Sequence, residues 1–189
     1  MTYYGAKDLA RSFQTVRGNT VTIAEEIGEE HYGFRATPET RTVAQLLVHI
    51  ALLPKLQTQI HAVERRTTLV GFDFPTFIGG LVAEEHKPRS KAQILELLRS
   101  GGDSFAQWLG GLSDDFLGES VSMSMPGMTP ASKTRFEMIL GVKEHEMHHR
   151  AQLMLMERML GITPHLTRQM QARMAATQAA PGSSSGVGR

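Results

Sequence analysis

Two histidines in the last third of the sequence could hold a metal ion. His145 and His149 are four residues apart in the segment Lys143 to Gln152, and this spacing places two side chains on one face of a helix, one turn apart. Two imidazoles so placed can chelate a single divalent cation. The same spacing also arises by chance in a chain with 8 His. Because two ligands rarely hold a metal alone, a third must come from another segment.

His49 is the candidate for that third ligand. Leu46, His49, Ile50 and Leu53 recur at helical spacing, which places His49 on the inward face of a predicted helix. A histidine on an apolar stripe is more often a core residue that donates to a backbone carbonyl, so a structural role and metal binding both remain open. The remaining histidines are interpreted as structural or surface residues: His31, His61, His86, His148 and His165.

The segment from His145 to His149 also matches the H-E-x-x-H motif of zinc proteases, in which the glutamate is the general base. The long form of that motif requires Gly and His where this chain has Gln152 and Leu155, and no acidic residue follows Glu157 to act as a later ligand. A protease is therefore the weaker interpretation. Glu146 stays a weak candidate for a catalytic base, or else a solvated charge, because it lies about 100° around the helix from its neighbour.

Helical periodicity dominates the elements that must position these histidines. It predicts helices over residues 6–27, 42–66 with a kink at Pro54, 90–109 and 134–160, and a last amphipathic piece around 166–174. Capping boxes mark three of the helix starts: Thr42 with Gln45, Ser90 with Gln93, and Thr134 with Glu137. Residues 67–88 contain two prolines and three glycines and are predicted to be a long connection.

These elements predict an all-α protein: an up-and-down four-helix bundle with an additional C-terminal helix. A short hairpin or extended loop is expected over residues 119–128, before the last core helix, because apolar and polar residues alternate there ahead of Pro126-Gly127. Residues 1–178 are predicted to form a single domain. Residues 179–189, which are rich in Gly and Ser, are expected to be a disordered tail.

Composition excludes several kinds of chemistry. The chain has 20 Lys+Arg against 19 Asp+Glu, a net charge of +1, which gives no electrostatic reason to expect nucleic acid or an acidic membrane as partner. The absence of Cys excludes disulfides, thiolate metal ligands, iron–sulfur clusters and a Cys nucleophile. No apolar leader or membrane span is evident, so we expect a cytoplasmic protein.

The segment His145 to Gln152, of the form His-Glu-x-His-His-Arg-x-Gln, together with His49 in a Leu-x-x-His-Ile context, resembles the DinB/YfiT-like family of four-helix-bundle metalloenzymes. The resemblance covers about residues 6–160. It implies that His49, His145 and His149 are the three ligands of a zinc, nickel or similar divalent site, and that the protein is a homodimer. Characterised relatives include transferases that conjugate bacillithiol, mycothiol or glutathione to electrophiles, and others that hydrolyse or isomerise small molecules.

The function predicted from these observations is that of a divalent-metal-dependent enzyme. A tri-His site with an open position would activate a water or a small-molecule thiol, as in a thiol S-transferase or a hydrolase. With no Cys in the chain, that thiol must come from a substrate or a cofactor. The alternative is a non-catalytic, stress-related dimeric bundle with a structural metal. Gln152, on the ligand face, is expected to hydrogen-bond a ligand imidazole.

Overall fold

The computed structural model describes residues 4–123 and 131–179. Within these residues, the eight α-helices are α1 (Ala6–Glu26), α2 (Val43–Leu52), α3 (Pro54–Thr58), α4 (Phe74–Glu85), α5 (Lys91–Gly110), α6 (Asp114–Gly118), α7 (Arg135–Met159) and α8 (His165–Ala179). Two short strands, β1 (Ser120–Ser122) and β2 (Ser132–Thr134), pair antiparallel. A 3-10 turn lies at Glu29–His31 and a π-helical turn at Gln59–Val63.

Four of these helices, α1, α2, α5 and α7, pack side by side around the apolar core and confirm the predicted all-α bundle. Helices α1 and α5 run in opposite directions. At one end of the pair, Lys91 Nζ donates to the backbone carbonyl of Ile27 at 2.7 Å. At the other end, a Cβ built on Gly110 would lie 3.9 Å from the Cβ of Ala10.

Helix α2 runs antiparallel to α7, because His49 meets His145 near the middle of α7 while His61 meets Arg135 at its start. Helix α7 runs parallel to α1, because the first half of each contributes to one core cluster and the second half of each to another. Helices α2 and α5 are each antiparallel to one of this pair, so they run the same way. The core helices therefore run up, down, down and up, and do not alternate strictly. Residues 64–90 return the chain to the end where α5 begins.

The predicted long connection is wrong over part of its length, because it contains α4. The side chain of Asp73 accepts a hydrogen bond from the Thr76 amide at 3.0 Å, and Pro75 occupies the first turn, so a helix start was present in the sequence. Gly79 and Gly80 have low helix propensity, so the sequence pattern did not predict this helix. Packing of α4 against α2 holds the helix in place.

The other predicted elements are present. All three capping boxes form, and the helix that follows Thr42 continues past Pro54 as α3 and the π-helical turn. The pairing of β1 with β2 confirms the short hairpin, while its predicted turn at Pro126-Gly127 lies outside the described residues. Ala179 is still helical, and residues 180–189 of the predicted tail lie outside the described residues. Among the described helices, none is long and apolar enough to cross a membrane.

Arg17 lies in the bundle centre, only 4% exposed, and connects all four core helices. Its Nε and Nη2 donate to the two carboxylate oxygens of Glu146 on α7, each at 2.9 Å. Nη1 donates to the Leu98 carbonyl on α5 at 2.8 Å, and Nη2 also donates to the Ile50 carbonyl on α2 at 3.1 Å. The Ile50 carbonyl is available because the residue four places later, Pro54, has no N–H to donate.

The bundle makes room for this arginine at Gly102 on α5. A Cβ at that position would lie 2.8 Å from Cγ of Arg17, closer than two carbon atoms can approach. This contact explains a glycine in the middle of a long helix, where it otherwise lowers stability. The Thr20 hydroxyl, one turn along α1, donates to Glu146 at 2.8 Å and completes the buried network.

Glu146→Gln is expected to lower the free energy of unfolding by about 3–5 kcal/mol, because it leaves the buried Arg17 guanidinium without a counter-charge. Denaturant titration followed by circular dichroism measures the change. Arg99→Gln is the control, since it removes an exposed ion pair with Glu25 and should change stability by less than about 1 kcal/mol. Similar losses in the two variants would contradict the central role of the buried pair.

A second buried carboxylate lies where α8 meets α1 and α7. Glu157 is fully buried, and neither of its carboxylate oxygens has a hydrogen-bond partner among the described residues. Burial raises the pKa of Glu157 to about 7, and the nearby Glu26 carboxylate adds to the effect. Arg168 pairs with Glu26 and does not contact Glu157. The Glu157 side chain is therefore protonated in the folded protein well above the pH at which an exposed glutamate ionises.

Glu157→Gln is expected to stabilise the protein at pH 8 and to have little effect at pH 4. In the unfolded chain the carboxyl ionises near 4.5 and in the folded chain near 7, so the folded state binds more protons and loses stability as the pH rises between these values. The gain at pH 8 should be on the order of 1–3 kcal/mol. Urea unfolding at several pH values measures it. Glu144→Gln, an exposed site on the same helix, is the control, and parallel pH profiles for Glu157→Gln and the parent protein would contradict the assignment.

Candidate metal centre

Three imidazoles converge between α2 and α7. Nε2 of His49 lies 3.4 Å from Nε2 of His145, and Nε2 of His145 lies 2.6 Å from Nε2 of His149. One ligand nitrogen from each ring lies within 4.8 Å of the others. The structure thus brings together the three histidines that the sequence analysis selected. His149 is buried, His49 is half-buried and His145 is exposed.

The local sequence explains this convergence. The capping box at Thr42 starts α2 seven residues before His49, and α7 is an unbroken helix of 25 residues that carries His145 and His149 one turn apart. The residues that follow His49 and His145 are Ile50 and Glu146, both of which bind Arg17. The hydrogen bonds of Arg17 therefore fix the position along α2 and α7 at which the histidines meet.

Two of the rings are oriented by hydrogen bonds from their outer nitrogens. Nδ1 of His49 donates to Oε1 of Glu85 at 2.7 Å, and Nδ1 of His149 donates to Oε1 of Gln152 at 2.8 Å. An ionised carboxylate can only accept, so the proton of His49 lies on Nδ1 and Nε2 presents a lone pair. Metal-binding histidines typically make such a bond with the nitrogen that is not a ligand. The predicted role of Gln152 is confirmed.

The three residues fit a divalent metal. An imidazole whose single proton lies on Nδ1, where the hydrogen bonds of His49 and His149 place it, has no proton on Nε2, and one proton on His145 could satisfy only one of these two neighbours. A cation placed among them accepts all three lone pairs. Three imidazole nitrogens suit zinc, nickel and similar borderline divalent metals.

The electrostatic environment keeps the rings neutral. Burial lowers the pKa of His149 to about 4, and positive charge on His49, His145 and His148 would lower it further, against the opposing effect of the hydrogen bond that His149 donates to Gln152. Burial also lowers the pKa of His145, with smaller contributions from neighbouring histidines and from the charge of Arg41. Both rings are therefore unprotonated at pH 7, which is the form that binds a metal.

Sequence reasoning missed two residues beside the site. Glu85, in the last turn of α4, is 5% exposed and contacts His49 as described above. Its other oxygen, Oε2, accepts from Nε of Arg41 at 2.7 Å. The helix start at Asp73 could have indicated α4, but nothing in the sequence pairs Glu85 with His49. Arg41 precedes the capping residue of α2 and belongs to no motif.

Glu146, the weak catalytic candidate, lies in the bundle core. It is fully buried, and its two oxygens accept hydrogen bonds from Arg17 and Thr20. The residue is therefore not a solvated charge. Its carboxylate is held on the side of α7 that faces α1, so the H-E-x-x-H string places no accessible base beside the imidazoles.

The remaining histidines have other partners or surroundings. His148 is exposed and lies 3.3 Å from the Gln152 amide nitrogen. His61 is fully buried, and its two nitrogens bind Arg135 and Gln57. Of the others, His86 follows α4 and lines the same cavity as His149. His31 lies in the 3-10 turn and His165 at the start of α8.

A cavity of about 850 Å³ opens beside His149. It is lined by parts of α2, α4 and α7 and by the segment 35–41, and its wall includes Glu85 and Gln152, the residues that orient the ligand rings. Its volume lies within the usual range of small-molecule sites. A molecule in this cavity would therefore lie next to the tri-His group.

The helical bundle and the tri-His group define an all-α protein with a candidate divalent metal site. The chain belongs to the DinB family, whose model matches residues 2–180. This match confirms the resemblance seen in the sequence. A search of curated proteins finds no relative.

Solved structures of similar fold include the DinB-like protein YjoA of Bacillus subtilis, which is 17% identical with a TM-score of 0.59, over 82% of this chain and 92% of that one. A protein from Streptococcus pneumoniae is 16% identical with a TM-score of 0.64, over 84% and 93% of the two chains. The sibling lethal factor precursor DfsB is 15% identical with a TM-score of 0.61, over 86% of this chain and 100% of that one. At these identities the likeness shows the fold.

Glu85→Gln is expected to weaken zinc binding by about 10–100-fold, because the carboxylate that orients His49 and makes its ring more basic is lost. Competition with a chromophoric chelator measures the affinity. Glu84→Gln is the matched control: its carboxylate pairs with Lys87 and Arg89. Equal zinc affinities in the two variants would show that Glu85 does not support the site.

Proposed function

We propose that this protein is a divalent-metal-dependent enzyme that acts on small molecules, with His49, His145 and His149 as the metal ligands. One observation carries the proposal: three imidazole nitrogens converge beside a cavity large enough for a substrate. Structural zinc sites are closed by four protein ligands, whereas catalytic sites have three and an open position. Within the described residues this group has three members.

A metal held there supplies Lewis acidity and lowers the pKa of a bound water or thiol. The chain's own residues perform the supporting tasks. Glu85 and Gln152 orient two of the rings, and Leu155 and Met156 give the cavity an apolar wall that reduces contact of the substrate with water. Glu146 acts by positioning α7 through Arg17 and does not take part in proton transfer.

The reaction class proposed is transfer of a small-molecule thiol to an electrophile, or hydrolysis. Zinc and nickel are the metals proposed, because both bind imidazole nitrogen. The absence of Cys requires that any sulfur nucleophile comes from a thiol cosubstrate. The thiol transferases among DinB/YfiT-like proteins support the first class, and the polar and apolar walls of the cavity admit either.

A second candidate function is that of a non-catalytic homodimer in which the metal is structural. It is supported by apolar side chains that are exposed on two neighbouring helices, Ile78 and Val82 on α4 and Leu155 and Met159 on α7. Exposed apolar groups of this kind are typical of protein contact surfaces. The accessible cavity beside the histidines favours the enzyme.

Substitution of two of the three histidines by alanine tests the metal site. Protein purified without chelator is expected to carry about one divalent metal per chain, and His49→Ala combined with His149→Ala should abolish binding because one imidazole rarely holds a metal alone. Elemental analysis and zinc titration measure this. His31→Ala is the control, since His31 lies in the 3-10 turn and is not a member of the three-histidine group. An unchanged metal content in the double variant would overturn the proposal.

Catalysis is tested with metal-loaded protein and a panel of small thiols, electrophiles and hydrolysable esters. Turnover that is lost in the double variant is the expected result. Absence of turnover across the panel, together with a metal-dependent dimer in sedimentation analysis, would instead support the second candidate function.

A further inference from the structure

The guanidinium of Arg41 is linked to the tri-His group through the carboxylate of Glu85. Its Nε donates to Oε2 of Glu85, and Oε1 of the same carboxylate accepts from His49. The Arg41 side chain is 38% exposed and forms part of the cavity wall. The cavity therefore places a fixed positive charge close to the candidate metal site.

Two of the three nitrogens of the Arg41 guanidinium are free to bind a ligand. The contact to Glu85 involves Nε of Arg41 alone. Nη1 and Nη2 have no hydrogen-bond partner among the described residues. Nearby, Arg35 also lines the cavity and uses only Nη1, which donates to the Pro38 carbonyl at 3.2 Å. A planar guanidinium with two free N–H groups matches the two oxygens of a carboxylate.

The rest of the cavity favours a single negative charge on a molecule with an apolar body. Its lining includes the side chains of Leu46, Val82 and Leu155, against which an apolar group can pack. The two arginines are balanced by two acidic residues in the same wall, Glu39 and Glu85. A dianion such as a phosphate monoester would be repelled by both carboxylates, whereas a monoanion needs only one free guanidinium.

We propose that the cavity takes small molecules that carry one carboxylate, and that Arg41 binds this carboxylate while the apolar part of the molecule lies along Leu46, Val82 and Leu155. Arg35 adds a second, weaker contact. The inference deepens the proposed function and rests on it, since the bound carboxylic acid would be the substrate or cosubstrate. Arg41 is then a specificity-determining residue that also supports Glu85.

The test compares three probes of similar shape: 4-phenylbutyrate, its neutral amide and 3-phenylpropylphosphonate. Binding is measured by calorimetry and by ligand-observed NMR, in zinc-loaded and in chelator-treated protein, at a pH at which the phosphonate is a dianion. The carboxylate is expected to bind about tenfold more tightly than the amide, which is the effect of one charge-assisted pair. Arg41→Gln should abolish this preference, and Arg41→Lys should restore part of it because it keeps the charge and loses the fork.

Two further variants separate the carboxylate contact from effects on the metal site. Arg35→Gln removes a cavity cation that hydrogen-bonds to the Pro38 carbonyl. This variant should weaken binding of the carboxylate probe by a smaller factor than Arg41→Gln does. Arg99→Gln, on the outer face of α5, should change nothing. Zinc affinity is measured for every variant, so that a loss of metal in Arg41→Gln is seen directly.

The outcomes distinguish the two proposals. Failure to bind zinc overturns the proposed function, while the carboxylate preference and its dependence on Arg41 are still measured in chelator-treated protein. Equal binding of carboxylate and amide, a preference that survives Arg41→Gln, or tighter binding of the phosphonate would each overturn the inference.

Discussion

The buried ion pair between Arg17 and Glu146 is the contact on which the arrangement of the bundle depends. Removing two charges from water is unfavourable unless every donor and acceptor is satisfied. Here the guanidinium binds Glu146 and the carbonyls of Leu98 and Ile50, so that all four core helices meet at one side chain. An apolar core tolerates small shifts of one helix along another, whereas hydrogen bonds at 2.8–3.1 Å do not.

The candidate metal site follows from this constraint. His49 and His145 each precede a residue that binds Arg17, so the same contact that sets the register of α2 against α7 brings the imidazoles together. The buried ion pair and the candidate metal site differ in their access to solvent. The ion pair is closed to water and structural, while the histidines lie beside a cavity, and α4 adds Glu85 from outside the four core helices. The buried ion pair and the candidate metal site therefore occupy adjacent turns of one bundle.

Sequence patterns predicted the features that depend on residues close together in the chain. Capping boxes located three helix starts, and helical spacing selected His49, His145 and His149, because these signals lie within a few turns of one helix. The sequence left Glu146 as a weak catalytic candidate or a solvated charge and did not predict its burial. An angle around a helix gives the direction of a side chain relative to its neighbour, and not which side of the helix faces the core. In α7 the Glu146 side faces α1 and the histidine side faces α2, so polarity did not distinguish the buried side from the partly exposed one. The contact of Glu85 with His49 joins residues 36 apart in the chain, and no periodicity carries that information.

The two residues that sequence reasoning missed connect the metal site to the cavity. Glu85 is the buried residue of α4, a helix that is otherwise half-buried or exposed, and its carboxylate binds His49 with one oxygen and Arg41 with the other. The position of this cavity wall and the orientation of a ligand imidazole therefore depend on the same side chain. A group that binds to Arg41 competes for its positive charge with Glu85, and a change in the charge of Glu85 alters the basicity of His49. Binding of an anion at Arg41 is therefore expected to change the electrostatic field at His49 through the carboxylate of Glu85.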